Sequence, residues 1–217
     1  VCLQKLNVKI VGIGAGVTYG YLGPTHHSTE DIAVLRCLPN LTLLSPATPK
    51  EARRLVQYAY ELDGPVYIRL GNNLPKELYE EKMEVIPGKA SVVRKGKDIA
   101  IFATGEILYE VIEAADRLKE KGIEAEVISV HTLKPFDKEF VLETAKRYSR
   151  IYSVEEHSIQ GGLGGMIAEV LAEQGTTARL TRIGIEDIFA KGYGTRKQVL
   201  SANGLDAKGI LEKILNS

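Results

Sequence analysis

Two apolar periodicities alternate along this chain, and this alternation is the strongest constraint on its fold. Short continuous apolar runs, typical of buried strands, are each followed by a segment in which apolar residues have helical spacing. Such alternation predicts βαβ units, in which helices cover both faces of a mostly parallel sheet. In the second half, strands are expected at 99–103, 125–130, 151–154 and 178–183, and helices at 107–121, 138–147, 163–173 and 207–215.

The first half shows the same alternation with fewer elements, so the sequence predicts an α/β protein of two domains, the first incomplete. Three strands in about 80 residues form only a small core. Residues 1–80 are therefore expected to form a partial domain, 81–97 a linker with an edge strand, and 98–217 a complete second domain. The expected strands of the first domain are 8–13, 41–44 and 66–70, and its expected helices are 29–38, with a capping box from Ser28 to Asp31, and 49–62.

Composition excludes several classes of function. The 217 residues include 28 basic and 28 acidic ones, so no basic excess is available to neutralise nucleic-acid phosphates. No apolar run approaches the ~20 residues of a membrane span. The two cysteines, Cys2 and Cys37, are too few for a disulfide framework, and a reducing cytoplasm is the expected location. Because the sequence starts at Val1 without a Met or a signal pattern, we expect a fragment.

The loop before the first helix carries two consecutive histidines, His26 and His27, delivered by a Gly-Pro turn. An imidazole beside a helix start can act on a developing oxyanion or a substrate hydroxyl. Only one of two consecutive side chains normally faces a cleft, so we interpret His26 as the catalytic residue. One surface and one packing histidine are the alternative, and a metal site at His27 and Asp31 would lack a third ligand.

Arg69, at the end of the strand 66–70, is a second candidate for substrate binding. An arginine at a strand end can clamp a carboxylate or phosphate, or it can pair with an acid of the fold. The glycines at 12, 14 and 16 do not fit the dinucleotide fingerprint, because its third glycine position holds Val17 and a loop follows.

Polar residues of the second half are interpreted as structural. The glycine-rich turn 161–165 could cradle a phosphate, but a tight turn between strand and helix is favoured because no P-loop Lys-Ser/Thr pair follows. His131 is expected to be structural. Glu155, Glu156 and His157 are expected at a strand end, in structural or interface roles.

Several motifs, occurring in order, show a resemblance to a known family. The chain resembles the C-terminal half of the transketolase family of thiamine diphosphate enzymes, and most of all the separate C-terminal subunit of split transketolases. Deoxyxylulose-phosphate synthase and the β subunits of 2-oxo-acid dehydrogenases are cousins. Motifs 23–26, 30–36, 38–40 and 64–69 resemble the later pyrimidine-binding domain, and 131–137, 155–164 and 183–187 resemble the C-terminal domain.

The resemblance implies a transferase that moves a two-carbon ketol or acyl-type unit between small carbonyl or sugar substrates. It implies thiamine diphosphate and Mg²⁺ in the complete assembly, held with a diphosphate-binding N-terminal domain or subunit and not by this chain alone. It also implies that His26 is the family's active-site histidine. A homodimer is expected, largely through the parallel-sheet domains and the apolar faces around 163–171. The rival hypothesis is a non-catalytic dimerisation or assembly module.

Two departures from the family pattern, and the absence of a third family residue, bear on the substrate. Transketolases that act on sugar phosphates carry an acid just before the Gly-Pro-Thr-His turn, where this chain has Leu22. They also carry a phosphate-binding arginine shortly before Asn-Leu-Pro, where this chain has Gly71 and Asn72. The family's upstream histidine is replaced by the stretch 14–16. Phosphorylated pentoses are therefore not expected to be good acceptors.

Overall fold

The first sheet is built around three parallel strands. The computed structural model describes residues 1–72, 76–79 and 82–217. Strands β1 (Lys9–Ile13), β2 (Thr42–Leu44) and β3 (Val66–Leu70) are parallel, with β3 between the other two.

The second sheet has five strands, of which four are parallel. They are β4 (Ser91–Arg94), β5 (Ile99–Thr104), β6 (Ala125–Ser129), β8 (Arg150–Ser158) and β9 (Arg179–Ile185), in the order β4-β6-β5-β8-β9, with β4 antiparallel to β6. In the chain, β6 is followed by β7 (Thr132–Lys134), which belongs to the first sheet and pairs antiparallel with β2. The second half of the chain thus contributes a strand to the first sheet.

Helices connect the strands as the periodicity predicts, and the α/β class with two mostly parallel sheets is confirmed. The helices are α1 (Asp31–Leu35), α2 (Pro49–Glu61), α3 (Leu108–Glu120), α4 (Lys138–Arg147), α5 (Leu163–Glu173), α6 (Arg196–Ala202) and α7 (Ala207–Leu215), with 3₁₀ turns at Gly20–Leu22, Pro24–His26 and Gly105–Ile107. No helix in the described ranges is long and apolar enough to cross a membrane.

Two local predictions were wrong, and two short elements were not predicted. Helix α1 is shorter than expected and begins without a capping box, because the Asp31 side chain pairs with Arg69 instead of capping the helix. Strand β8 continues to Ser158, so the polar residues 155–157 lie within it and not beyond its end. Neither β7 nor α6 was predicted, since both are too short to show a period.

The apolar face of α5 is buried within the chain. Its inward residues pack against α4, the second sheet and Ile32 of α1, and none of them is more than 7% exposed; they are Leu163, Met166, Ile167, Val170 and Leu171. The prediction that this face forms a dimer interface is therefore wrong. An open apolar edge lies elsewhere: within the described ranges β1 pairs only with β3, and Ile10, Val11 and Ile13 of β1 are exposed.

Candidate active site

The loop that carries the two histidines lies at the carboxyl end of the first sheet. The N–H groups of Gly14 and Ala15 donate to the carbonyl of Leu70, at 2.8 and 3.0 Å, which ties the start of the loop to the end of β3. Gly16 and Ser28 then pair with each other in an antiparallel bridge. The loop therefore closes on itself over the end of parallel strands where α/β proteins bind their ligands.

His26 is exposed at the top of this loop, in the 3₁₀ turn Pro24–His26. Its Nδ1 lies 2.9 Å from the hydroxyl of Thr25, while its Nε2 makes no hydrogen bond to any described residue. The turn begins at Gly23, whose φ of 72° and close contact with the Tyr193 ring leave no room for a side chain. The loop thus presents one nitrogen of His26 outward, as a residue that acts on a ligand requires.

His27 has a different environment. Both of its ring nitrogens are buried, and neither has a hydrogen-bond partner among the described residues. Burial lowers the pKa of the His27 imidazole, although the carboxylates of Glu156 and Glu30 oppose this shift. A neutral, inward-facing His27 agrees with the interpretation that only the first histidine of the pair faces a cleft.

Arg69 lies beneath the loop and is only 3% exposed. Its Nε donates to both carboxylate oxygens of Asp31, at 2.9 and 3.1 Å, and its Nη2 donates to the carbonyls of Ser28 and Glu156. These contacts hold the end of the loop against α1 and β8. Substrate binding by Arg69 stays a prediction.

Glu156 is one of the residues of the second domain that contact the loop. Its carboxylate accepts a 2.8 Å hydrogen bond from the N–H of Val17 and pairs with Arg196, whose Nε lies 3.1 Å from both oxygens. The Arg196 Nε also lies 3.4 Å from Glu106. Sequence reasoning missed Arg196, although a capping box at Thr195 and Gln198 marks the start of α6 and could have revealed it.

Glu155 points the other way, to the start of α5. Its carboxylate accepts hydrogen bonds from the N–H groups of Leu163 and Gly164, at 2.7 and 2.9 Å, and fills the place a bound phosphate would take. Gly162 is needed there, because a Cβ would lie 1.9 Å from the carboxylate. Burial raises the pKa of Glu155 to about 7, against the effect of the two N–H groups. The prediction of a tight turn at 161–165 therefore fits this geometry.

The described residues do not fit the diphosphate and metal part of a thiamine cofactor. No three His, Cys, Asp or Glu side chains in the described ranges lie close enough together to hold a metal ion. The helix start most suited to a diphosphate, that of α5, already holds Glu155.

Comparisons with known proteins show the family. The model of the transketolase pyrimidine-binding domain matches residues 1–79, and that of the transketolase C-terminal domain matches residues 88–210. The chain belongs to the transketolase family, as its resemblance to this family predicts. Its homologues include C-terminal subunits of split, thiamine-diphosphate-dependent enzymes, which supports transferase activity as part of a complete split enzyme.

Three of the similar proteins illustrate this relationship. An apulose-4-phosphate transketolase subunit of Actinobacillus succinogenes is 42% identical over all of this chain and 70% of its own length. The 6-deoxy-6-sulfo-D-fructose transketolase subunit of a Clostridium species is 39% identical over 97% of this chain and 65% of its own length. A solved split-gene transketolase, described as an inactive β4 tetramer, is 36% identical with a TM-score of 0.89, covering 100% of this chain and 68% of its own. The chain thus spans about two thirds of these relatives.

Ionisation of Glu155 should make the chain less stable as the pH rises. The pKa of Glu155 rises from 4.5 to about 7 on folding, so between these pH values the folded chain keeps a proton that the unfolded chain releases. The free energy of unfolding is therefore highest below pH 4.5 and falls as the pH rises to 7. At about 1.4 kcal/mol per pKa unit, the loss is about 3 kcal/mol. Urea unfolding of the wild type and Glu155→Gln across this range should show the wild type losing stability relative to the variant. A constant difference between the two would contradict the raised pKa.

Proposed function

We propose that this chain supplies the substrate-facing histidine of a split transketolase-like enzyme that transfers a two-carbon ketol unit between sugar or other carbonyl substrates. The observation that carries the proposal is the exposed His26, held on a closed loop at the carboxyl end of a parallel sheet with its Nε2 unpaired among the described residues. Thiamine diphosphate supplies the carbon–carbon chemistry of this family when it is bound.

His26 is suited to binding substrate oxygens and to moving a proton there. Its Nδ1 is within hydrogen-bond distance of the Thr25 hydroxyl, which fixes the ring and leaves Nε2 to face the substrate. In its protonated form Nε2 donates to a carbonyl oxygen as negative charge develops on that atom, and in its neutral form it accepts a hydroxyl proton. His27 has no such access, because both of its ring nitrogens are buried.

The remaining parts of the enzyme are proposed to come from an N-terminal partner. That partner would bind the diphosphate and Mg²⁺, since the described residues form no group that could hold a metal ion.

We propose a cytoplasmic assembly in which this chain is at least dimeric. Sedimentation equilibrium that shows only a monomer at tens of micromolar would contradict the dimer.

The chain alone should neither bind thiamine diphosphate tightly nor catalyse transfer. Titration calorimetry with Mg²⁺ and the cofactor should show no binding to the isolated chain and clear binding to the mixture with its N-terminal partner. Micromolar affinity of the isolated chain would refute this division of the site. A mixture that binds the cofactor but transfers no ketol unit would favour the assembly-module hypothesis instead.

His26→Ala should reduce turnover of the reconstituted enzyme much more than His27→Ala. A positioned acid–base group contributes ~10²–10⁴-fold, so kcat should fall by about this factor while the melting temperature barely changes, because His26 is exposed. Steady-state kinetics and thermal unfolding of the two variants provide matched measurements. Equal effects of the two substitutions would count against the assignment of His26.

The substrate is proposed to lack a phosphate that this chain must bind. The side chain of Leu22 cannot accept a hydrogen bond from a sugar hydroxyl. Gly71 carries no cation, and a Cβ there would lie 2.0 Å from the carboxylate of Glu106, so a longer side chain has no room. Asn73–Pro75, which follow, lie outside the described residues. The names of the two relatives described above refer to a phosphorylated and a sulfonated sugar, both anionic, so the proposal rests on Leu22 and Gly71 and not on these names.

Phosphorylated aldoses should therefore be poor acceptors. Losing a charge-assisted hydrogen bond to phosphate weakens recognition by about 1.5–3 kcal/mol. The kcat/KM of the reconstituted enzyme for ribose 5-phosphate should not exceed its kcat/KM for ribose, and the same should hold for glyceraldehyde 3-phosphate and glyceraldehyde. A strong preference for the phosphorylated member of either pair would show that another residue, Arg69 included, binds the phosphate.

A further inference from the structure

We propose that Glu156 and Arg196, both of the second domain, are positioning residues that act through His26. This inference rests on the proposed function, because it assumes that His26 faces the substrate. Neither side chain points outward with His26: Glu156 is 4% exposed, and the Arg196 side chain is 22% exposed. They form an ion pair under the loop, with Nη2 of Arg196 on one oxygen of Glu156 and Nε in reach of both.

Glu156 holds the loop at both of its ends. At the first end its side chain accepts the N–H of Val17 at 2.8 Å and fits against Gly16, where a Cβ would lie 2.4 Å from it. At the other end its main-chain carbonyl accepts Nη2 of Arg69, which also binds the carbonyl of Ser28. One residue of β8 is thus linked to both ends of the segment between Gly16 and Ser28, which contains His26.

Arg196 follows a segment, Tyr193 and Gly194, that contacts the same loop. Just before α6, the N–H of Gly194 donates to the carbonyl of Gly20 at 3.2 Å. The ring of Tyr193 packs directly on Gly23, at the start of the turn that carries His26. The ion pair with Glu156 fixes α6 to β8. Arg196 therefore determines the position of Tyr193 and Gly194, which contact the middle of the loop, relative to the ends of the loop, which Glu156 contacts.

Such an arrangement predicts an effect on catalysis out of proportion to stability. Removing one partner of a buried ion pair leaves the other charge without compensation, and the segments it joined move apart. A displacement of about 1 Å at a reacting group can cost ~10²-fold in rate. The loss should appear in kcat, because the described contacts of Glu156 and Arg196 lie beneath the loop and not on the exposed side where His26 lies.

The test uses the enzyme reconstituted with its N-terminal partner, with hydroxypyruvate as donor and ribose as acceptor. Arg196→Gln removes the pairing charge, and Arg196→Lys keeps the charge but not the forked geometry. Glu156→Gln keeps the size and an oxygen for the Val17 N–H, and serves if Arg196→Gln does not fold. The matched control is Arg147→Gln, which breaks the similar pair of Arg147 with the buried Glu126, at 2.7 and 3.0 Å, elsewhere in the second domain.

Arg196→Gln should lower kcat by ~10–10²-fold with little change in KM, and Arg196→Lys should recover part of the loss. Arg147→Gln should leave kcat unchanged even where its melting temperature falls as far. In a His26→Ala background, Arg196→Gln should add less than about a twofold loss, because residues that act as one unit are not additive. Glu156→Gln should repeat this pattern.

The outcomes separate the two proposals. Full turnover of His26→Ala would overturn the proposed function itself. A large loss from His26→Ala, combined with an Arg196→Gln loss that is equal in both backgrounds or matched by Arg147→Gln, would overturn the positioning role and leave the assignment of His26 standing.

Discussion

The arrangement of the candidate site depends on buried charges at the junction of the two sheets. Arg69, at the end of β3, is surrounded by Asp31 and by the carbonyls of Ser28 and Glu156. A buried guanidinium is tolerated only when its charge is balanced and its donors are occupied. Asp31 supplies the balance, and this pairing explains why the carboxylate is not free to cap α1. One ion pair thereby joins the histidine loop, the first helix and the second domain.

Strand β8 places charged side chains on both of its faces at this junction, because side chains alternate along a strand. Glu156 therefore reaches the loop and α6, whereas Glu155 on the opposite face accepts the first N–H groups of α5. His157 returns to the side of Glu155, where its Nε2 accepts the N–H of Ala33 in α1. Three consecutive polar residues thus contact three different helices and the histidine loop, although none of them is exposed.

The sequence was sufficient for the fold class because long elements carry their own periodicity. Helices such as α2 and α3 and the apolar strand β5 were predicted to within a few residues. The errors fall where tertiary contacts override local signals. Asp31 has the spacing of a capping residue but finds a buried arginine, a partner 38 positions away that no local pattern reveals. The short elements β7 and α6 show no period, so only a local signal such as the capping box at Thr195 and Gln198 could have marked one of them.

The sequence indicated the histidines of the candidate site but not the residues that hold their loop in place. The Gly-Pro turn located the histidines, and the rule that neighbours face opposite ways chose His26, which the structure shows exposed. The sequence did not identify the residues under the loop. Arg196 and Glu156 are 40 positions apart, and only the packing of α6 against β8 brings their side chains together. Glu155 and Glu156 were interpreted as structural, which describes their contacts but not the connection of Glu156 to the loop.

The charges at this junction disfavour a phosphate group near the base of the loop. Around the base of the loop lie the carboxyl groups of Asp31, Glu106 and Glu156, against the guanidinium groups of Arg69 and Arg196. Both guanidinium groups are already paired with carboxylates, so neither is available as a free cation. A dianionic phosphate placed here would have to compete with buried carboxylates for an arginine and would leave one of them unpaired, at a cost of several kcal/mol. A neutral hydroxyl or carbonyl group at His26 meets no such penalty.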